Sequence, residues 1–257
     1  MAFETILTQN SEMMIPKVIH YCWFGRKPLP ESAVRCIDSW KMHMPGYEIV
    51  LWNEDNFDLD SVPYVRQAYD AGKYAFVSDY ARFWIMYNHG GIYFDTDVEM
   101  LAPIDDILEA GPFMGCELSM SGAVSVAPGL GISAVPGMEI YRRLLSLYND
   151  LRFINDDGSF NQKTIVSYTT ELLEKYGFVG EDRMQHCAGL NIYPVEYFCP
   201  IHYRTGKCTI TANTRTIHHY AATWHSAKDK WAKLKRVFLS ENQIKAISRF
   251  LDYFRRK

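Results

Sequence analysis

Asp95 and Asp97 flank one threonine at the end of an apolar run, in the stretch GGIYFDTDVE at 90–99. On an extended segment, side chains two apart point the same way, so both carboxylates face one point. Paired oxygen donors of this kind suit Mg2+ or Mn2+, ions that keep part of their water shell and bridge to phosphates. Two solvated turn aspartates are the plain alternative, but the apolar strand and the glycine pair ahead of them favour a site. An EF-hand loop does not fit, because counting Asp95 as its first position puts Met100 sixth and Asp106 twelfth, where glycine and glutamate are required. An aspartyl-phosphate phosphohydrolase would use Asp95 as a nucleophile, yet that chemistry normally begins near its first strand, and here the N-terminal third of the chain comes first.

A second pair lies upstream. Asp79 and Arg82 are three apart within YAFVSDYARFWIMYNH and share one helix face. Two charges on an otherwise apolar helix are costly unless paired or used. Either they form a structural ion pair, or Asp79 accepts sugar hydroxyls while Arg82 faces a phosphate.

These residues need elements to hold them. KVIHYCW (17–23) and YEIVLW (47–52) read as strands, and PESAVRCIDSWKMHMP reads as a helix between two prolines. VPYVRQAYDAG is a short helix stopped at Gly72, and the 74–89 segment is a helix apolar nearly all round, hence buried, capped by Gly90. IYF (92–94) is the strand that delivers the aspartates. Beyond it, GPFMGCE and GAVSVAP are strand-like, GMEIYRRLLSLYNDL and QKTIVSYTTELLEKYG are helical, and LNIYPVEYF and TRTIHHYAATW are extended. The alternation predicts an α/β layered sheet with ligands at the carboxyl ends of strands.

The 257 residues fit one domain with an appendage, a catalytic domain over 1–226 and an extension over 227–257. A net charge of −3 carries no nucleic-acid signature. MAFETILTQNSEMM does not read as a signal peptide, no apolar run is long enough to span a membrane, and six scattered cysteines without a CxxC pair suit a reduced, cytoplasmic setting. Residues 228–257 hold ten Lys/Arg against three acids, with Ile244, Ile247, Phe250, Leu251 and Phe254 on one helical stripe. A basic amphipathic helix of this kind suits peripheral contact with an anionic membrane, or simply docks on the catalytic domain.

Taken together, IPKVIHYCWFG, SDYARFWIMYNHGGIYFDTDVE and IHHYAATW resemble glycosyltransferase family 32. The resemblance is strong over about 15–105 and moderate over 213–226. It implies a GT-A type Rossmann-like fold with a mixed central sheet, and a helical tail follows. It further implies a nucleotide-sugar donor, a glycan or lipid-linked acceptor, and Mn2+ or Mg2+ on the diphosphate. Asp95 and Asp97 match the family's DXD pair with Thr96 between them, Asp79 and Arg82 match its donor-sugar contacts, and Tyr93 matches a tyrosine beside the DXD. Cys22, Trp23 and Phe24 match the turn that holds the nucleobase, and Trp224 matches a tryptophan near the C-terminal end of the site. His219 is expected as the third metal ligand, since histidine followed by an aromatic resembles related retaining galactosyltransferases. His218 would then point the other way. The expected reaction is transfer of a hexose with retention, a UDP-sugar being preferred and GDP-mannose the alternative, in synthesis of a bacterial-type surface polysaccharide such as a capsule or lipopolysaccharide. Glu117 and Asp157 are weaker candidates to approach the acceptor. A phosphohydrolase or a catalytically silent nucleotide-sugar-binding protein are the competing readings.

Overall fold

The computed structural model describes residues 14–119, 122–202 and 206–220. Trp224 and the 227–257 extension lie outside the described residues. Short, mostly buried segments form ten strands among those residues: β1 (Val18–Cys22), β2 (Glu48–Trp52), β3 (Gly91–Tyr93), β4 (Val98–Met100), β5 (Phe113–Leu118), β6 (Val124–Val126), β7 (Ile132–Ala134), β8 (Gln185–Cys187), β9 (Leu190–Tyr193) and β10 (Thr216–His218). The helices are α1 (Glu31–His43), α2 (Pro63–Asp70), α3 (Tyr74–His89), α4 (Asp105–Glu109), α5 (Glu139–Ser146), α6 (Ile165–Glu174) and α7 (Val195–Phe198).

Eight strands form one sheet in the order β2-β1-β3-β7-β5-β9-β8, with β6 paired to β5. β1 runs parallel to β2 and β3, and β5 parallel to β9, while β7 is antiparallel to both β3 and β5. The predicted mixed α/β sheet is the sheet observed. β4 and β10 form a separate antiparallel ribbon beside the end of β3. Among the described residues no helix is long and apolar enough to cross a membrane.

Helix α3 is the central support. Val77, Ala81, Phe83, Ile85 and Met86 are fully buried, so it has almost no wet face, as its sequence predicts. Gly90 caps it at φ 65°, its N–H bonding to Met86 O, and turns the chain directly into β3. Added side-chain bulk there would strike Pro136 and Ala134 O. Helix α1 fixes the other flank of the site. Trp40 Nε1 donates to Val98 O at 2.7 Å, and Ser39 Oγ accepts from Met100 N at 2.9 Å, which clamps β4 from behind.

Three boundaries differ from the sequence reading. The helix expected over 137–151 is ordered as α5 only to Ser146. LNIYPVEYF is not extended throughout, because Pro194, which lacks an N–H for the ladder, ends β9 and starts α7. β3 also stops before Asp95, and a turn closed by Val98 N–H to Asp95 O carries the two aspartates. Their carboxylates therefore converge through a turn and not through strand alternation.

Candidate metal and donor-sugar site

The strand end presents Asp95, Asp97 and His218, whose ligand atoms all lie within 4.8 Å of one another. His218 Nε2 is 3.2 Å from Asp97 Oδ1. The expected His219 is not the histidine at this cluster: its Nε2 is 2.7 Å from Glu99 Oε2 on the exposed side of the ribbon. Alternation does put the two histidines on opposite faces, but the register of β10 on β4, with His218 opposite Val98, inverts which one faces the aspartates. His219 contributes main chain instead, its N–H bonding to Asp97 O at 2.9 Å.

Beneath the cluster lies a buried ionic network. Arg82, only 4% exposed, places Nη2 at 2.9 Å from Asp79 Oδ1 and 3.3 Å from Asp95 Oδ1, while Nε donates to Ser78 O at 3.2 Å. Tyr93 OH donates to Asp95 Oδ1 at 3.0 Å, and its ring lies 5.0 Å from the Arg82 guanidinium. Of the two readings left open for Asp79 and Arg82, the ion pair is present, and Arg82 engages Asp95 as well. A guanidinium buried this deeply must be satisfied by neighbouring acceptors, and this one is engaged by two carboxylates and a carbonyl. It bridges Asp95 and Asp79.

Burial pushes the Asp79 carboxyl up, with Arg82 opposing and Asp95 reinforcing the rise. Burial also pushes Asp95 up, Arg82 again opposing it. For His218 burial favours the neutral ring, but the hydrogen bond and charge of Asp97, with Asp95 and Glu117 behind it, outweigh that and hold its pKa above the usual range. Two carboxylates and one imidazole form a donor set that fits Mn2+ or Mg2+.

Gly129, in the loop between β6 and β7, covers the network. Its carbonyl accepts from Asp95 N at 3.1 Å, and a Cβ there would collide with Asp95 Oδ2 and crowd Arg82 Nη1. Nothing in the local sequence marks this position.

Of the expected nucleobase turn, Cys22 and Phe24 are buried, Phe24 against Phe57 at 5.8 Å. Trp23 is half-buried and its Nε1 donates to Lys27 O at 2.6 Å, leaving it as the side chain of this turn with surface to offer. Thr96 is half-buried between the aspartates. Asp157 is exposed and engaged by Ser159 N and Oγ within its own turn, remote in role from the cluster. Glu117 instead connects to it: Tyr220 OH donates to Glu117 Oε2 at 3.1 Å, and the Tyr220 ring lies 4.3 Å from that of His218.

The class defined by these features is a mixed α/β protein with an acidic, imidazole-completed cluster at a strand end. Residues 30–114 match the family described as "Glycosyltransferase sugar-binding region containing DXD motif". Relatives include inositol phosphoceramide mannosyltransferase 3 of Schizosaccharomyces pombe, 36% identical over 38% of this chain and 29% of that protein. Another is subversion of eukaryotic traffic protein A of Legionella pneumophila, 27% identical over 44% of this chain and 21% of that protein. The chain thus spans about a third or less of the length of these curated relatives. Among solved structures, a glycosyltransferase involved in the glycosylation of the major capsid of PBCV-1 aligns over 85% of this chain and 99% of its own at 12% identity and a TM-score of 0.47, and the PaToxG glycosyltransferase aligns over 66% of this chain and 76% of its own at 18% identity and a TM-score of 0.46.

Proposed function

We propose that this protein is a metal-dependent glycosyltransferase that moves a hexose from a nucleotide sugar to a hydroxyl of a glycan or lipid-linked acceptor, with retention. The observation that carries the reading is the convergence of Asp95, Asp97 and His218 inside and beside a DXD sugar-binding region. Asp97 and His218, with Asp95, would hold Mn2+ or Mg2+, which when bound neutralises charge on a departing diphosphate. Asp79, 14% exposed, accepts hydrogen bonds from donor-sugar hydroxyls, and Arg82 keeps its carboxylate aimed. Trp23 offers a stacking face to the nucleobase, an interaction worth about 1–3 kcal/mol.

A UDP-sugar donor is the preferred reading, and GDP-mannose is the second, favoured by the mannosyltransferase names of several relatives. The product would be a surface glycan made at the inner face of a membrane, with the basic 227–257 segment as a reversible contact. Co-sedimentation of the full chain, but not of a truncation after Ser226, with anionic vesicles at low salt is the expected result for that contact.

The central test is a thermal-shift and nucleotide-release panel of UDP- and GDP-sugars with Mn2+ and with EDTA. One donor should stabilise the protein and release its nucleoside diphosphate only with metal. Stabilisation without release would identify a silent binder. Phosphate release from p-nitrophenyl phosphate would identify a phosphohydrolase with Asp95, held by Tyr93 and Arg82, as its nucleophile.

A further inference from the structure

Beside the cluster, a cleft of about 500 Å3 opens between the β5–β6 hairpin and the first turns of α6. Glu117 and Ser125 line the hairpin side, Val166, Thr170 and Glu171 the helix side, and Tyr220 joins them. The cleft is tied to the metal cluster by that tyrosine. Tyr220, at φ 49°, presents its hydroxyl to Glu117 Oε2 and packs its ring on His218. Tyr220 is therefore common to the cleft lining and to the surroundings of His218. Glu117 Oε2 takes the Tyr220 hydrogen bond, and Oε1 has no hydrogen-bond partner among the described residues. Thr170 Oγ1 accepts from Val126 N at 3.0 Å, which joins the helix wall to the hairpin wall and fixes the width of the cleft.

The chemistry of the lining selects its occupant. Two carboxylates and several hydroxyls stand against apolar surface from Leu118, Val166 and the Tyr220 ring. Glu171 is paired with Lys163 Nζ at 2.6 Å, so Glu117 is the lining carboxylate with no Lys or Arg paired to it among the described residues, and none of the described lining residues is itself Lys or Arg. A phosphate or sulfate calls for guanidinium or ammonium partners and is repelled by carboxylates. A neutral ring bearing hydroxyls donates to carboxylates and lays its C–H face on apolar and aromatic surface, the usual composition of a small-molecule site.

We infer that this cleft is the acceptor subsite, and that it takes an uncharged polyhydroxylated ring, a pyranoside or cyclitol, with Glu117 accepting a hydrogen bond from one of its hydroxyls. The assignment of the ring as acceptor rests on the transferase reading; the binding chemistry stands on the cleft alone.

The test uses the full chain with Mg2+ and nucleoside diphosphate, and saturation-transfer NMR with methyl α-D-mannopyranoside, methyl β-D-glucopyranoside, methyl β-D-galactopyranoside and myo-inositol. At least one probe should bind. Ser125→Trp fills the cleft from the exposed face of β6, and Glu117→Gln removes the charged acceptor; each should weaken binding at least fivefold. Glu117→Gln decides the matter if the bulkier variant fails to fold, thermal unfolding being the check. Failure of all four probes to bind, or binding equal to wild type in the folded variants, overturns the proposal. So does stronger binding of mannose 6-phosphate than of the neutral glycosides. Metal-dependent nucleotide release without added acceptor reports separately on the transferase reading: release without probe binding removes the cleft and keeps that reading, and probe binding without release keeps a neutral-sugar cleft and removes the reading.

Discussion

At the residue scale the two histidines give the sharpest contrast. They are neighbours in sequence, yet only His218 faces Asp97, and His219 pairs with Glu99. His218→Ala should raise the Mn2+ concentration for half-maximal donor turnover by at least roughly tenfold, the loss typical even of partners one step outside a metal site. His219→Ala should leave that concentration near wild type. A metal titration of both variants checks this, and the reverse order would restore His219 as the ligand. Asp97→Asn should reduce metal-dependent turnover to background while circular dichroism stays unchanged, because the substitution swaps a charged ligand for a neutral amide of the same shape. Gly129→Ala acts on the same site from the loop above it. Its Cβ meets Asp95 Oδ2, so donor use should fall although no chemical group is removed. Wild-type turnover in this variant would show that the loop yields.

At the element scale, α3 carries a charge through the core. Arg82 sits among Val77, Phe83, Ile85 and Met86 and answers to Asp79 and Asp95. Arg82→Ala leaves two partly buried carboxylates without their buried cation, and the cost of breaking such a pair is at most about 3–5 kcal/mol. Urea unfolding should show that loss. Asp79→Asn keeps the packing and most of the hydrogen bonding, so it should impair donor use by more than it lowers the unfolding midpoint. If Asp79→Asn is fully active, the pair is a strut and nothing more. Arg82→Lys should not rescue the alanine variant fully, since an ammonium cannot reach Ser78 O, Asp79 and Asp95 in one plane.

At the scale of the whole molecule, β1 contributes a buried titratable group away from the cluster. His20 is 3% exposed, and its Nδ1 accepts from Trp52 Nε1 at 3.0 Å. Burial, with the charge of His89 adding to it, lowers its pKa from 6.5 to about 4, the Gly90 backbone opposing. The folded state thus keeps this ring neutral where the unfolded chain would protonate it. Stability is complete above pH 6.5, falls as the pH drops from 6.5 towards about 4, and is flat in this respect below that. The full contribution is on the order of 3 kcal/mol. His20→Gln should flatten the acid limb of a midpoint-against-pH curve within that window, and an unchanged limb would assign acid sensitivity to other groups.

The sequence by itself determined the alternating α/β order, the burial of α3, the cap at Gly90 and the carboxylate pair at the end of β3. Each rests on local physics: side-chain periodicity, glycine's access to positive φ, and the cost of charge in an apolar run. What only the tertiary structure decided are contacts between distant segments. The register of β10 on β4 chose His218 over His219, and a one-residue slip would have chosen the other. The β6–β7 loop brought Gly129 onto Asp95, and the hairpin brought Glu117 to Tyr220 across more than a hundred residues. The burial of Arg82 joined Asp79, its neighbour on the same helix, to Asp95 beyond it. Spacing along a chain fixes which side chains share a face of one element; which faces then meet depends on how the elements pack, and that packing brought His218 to Asp97 and set the cleft against Tyr220.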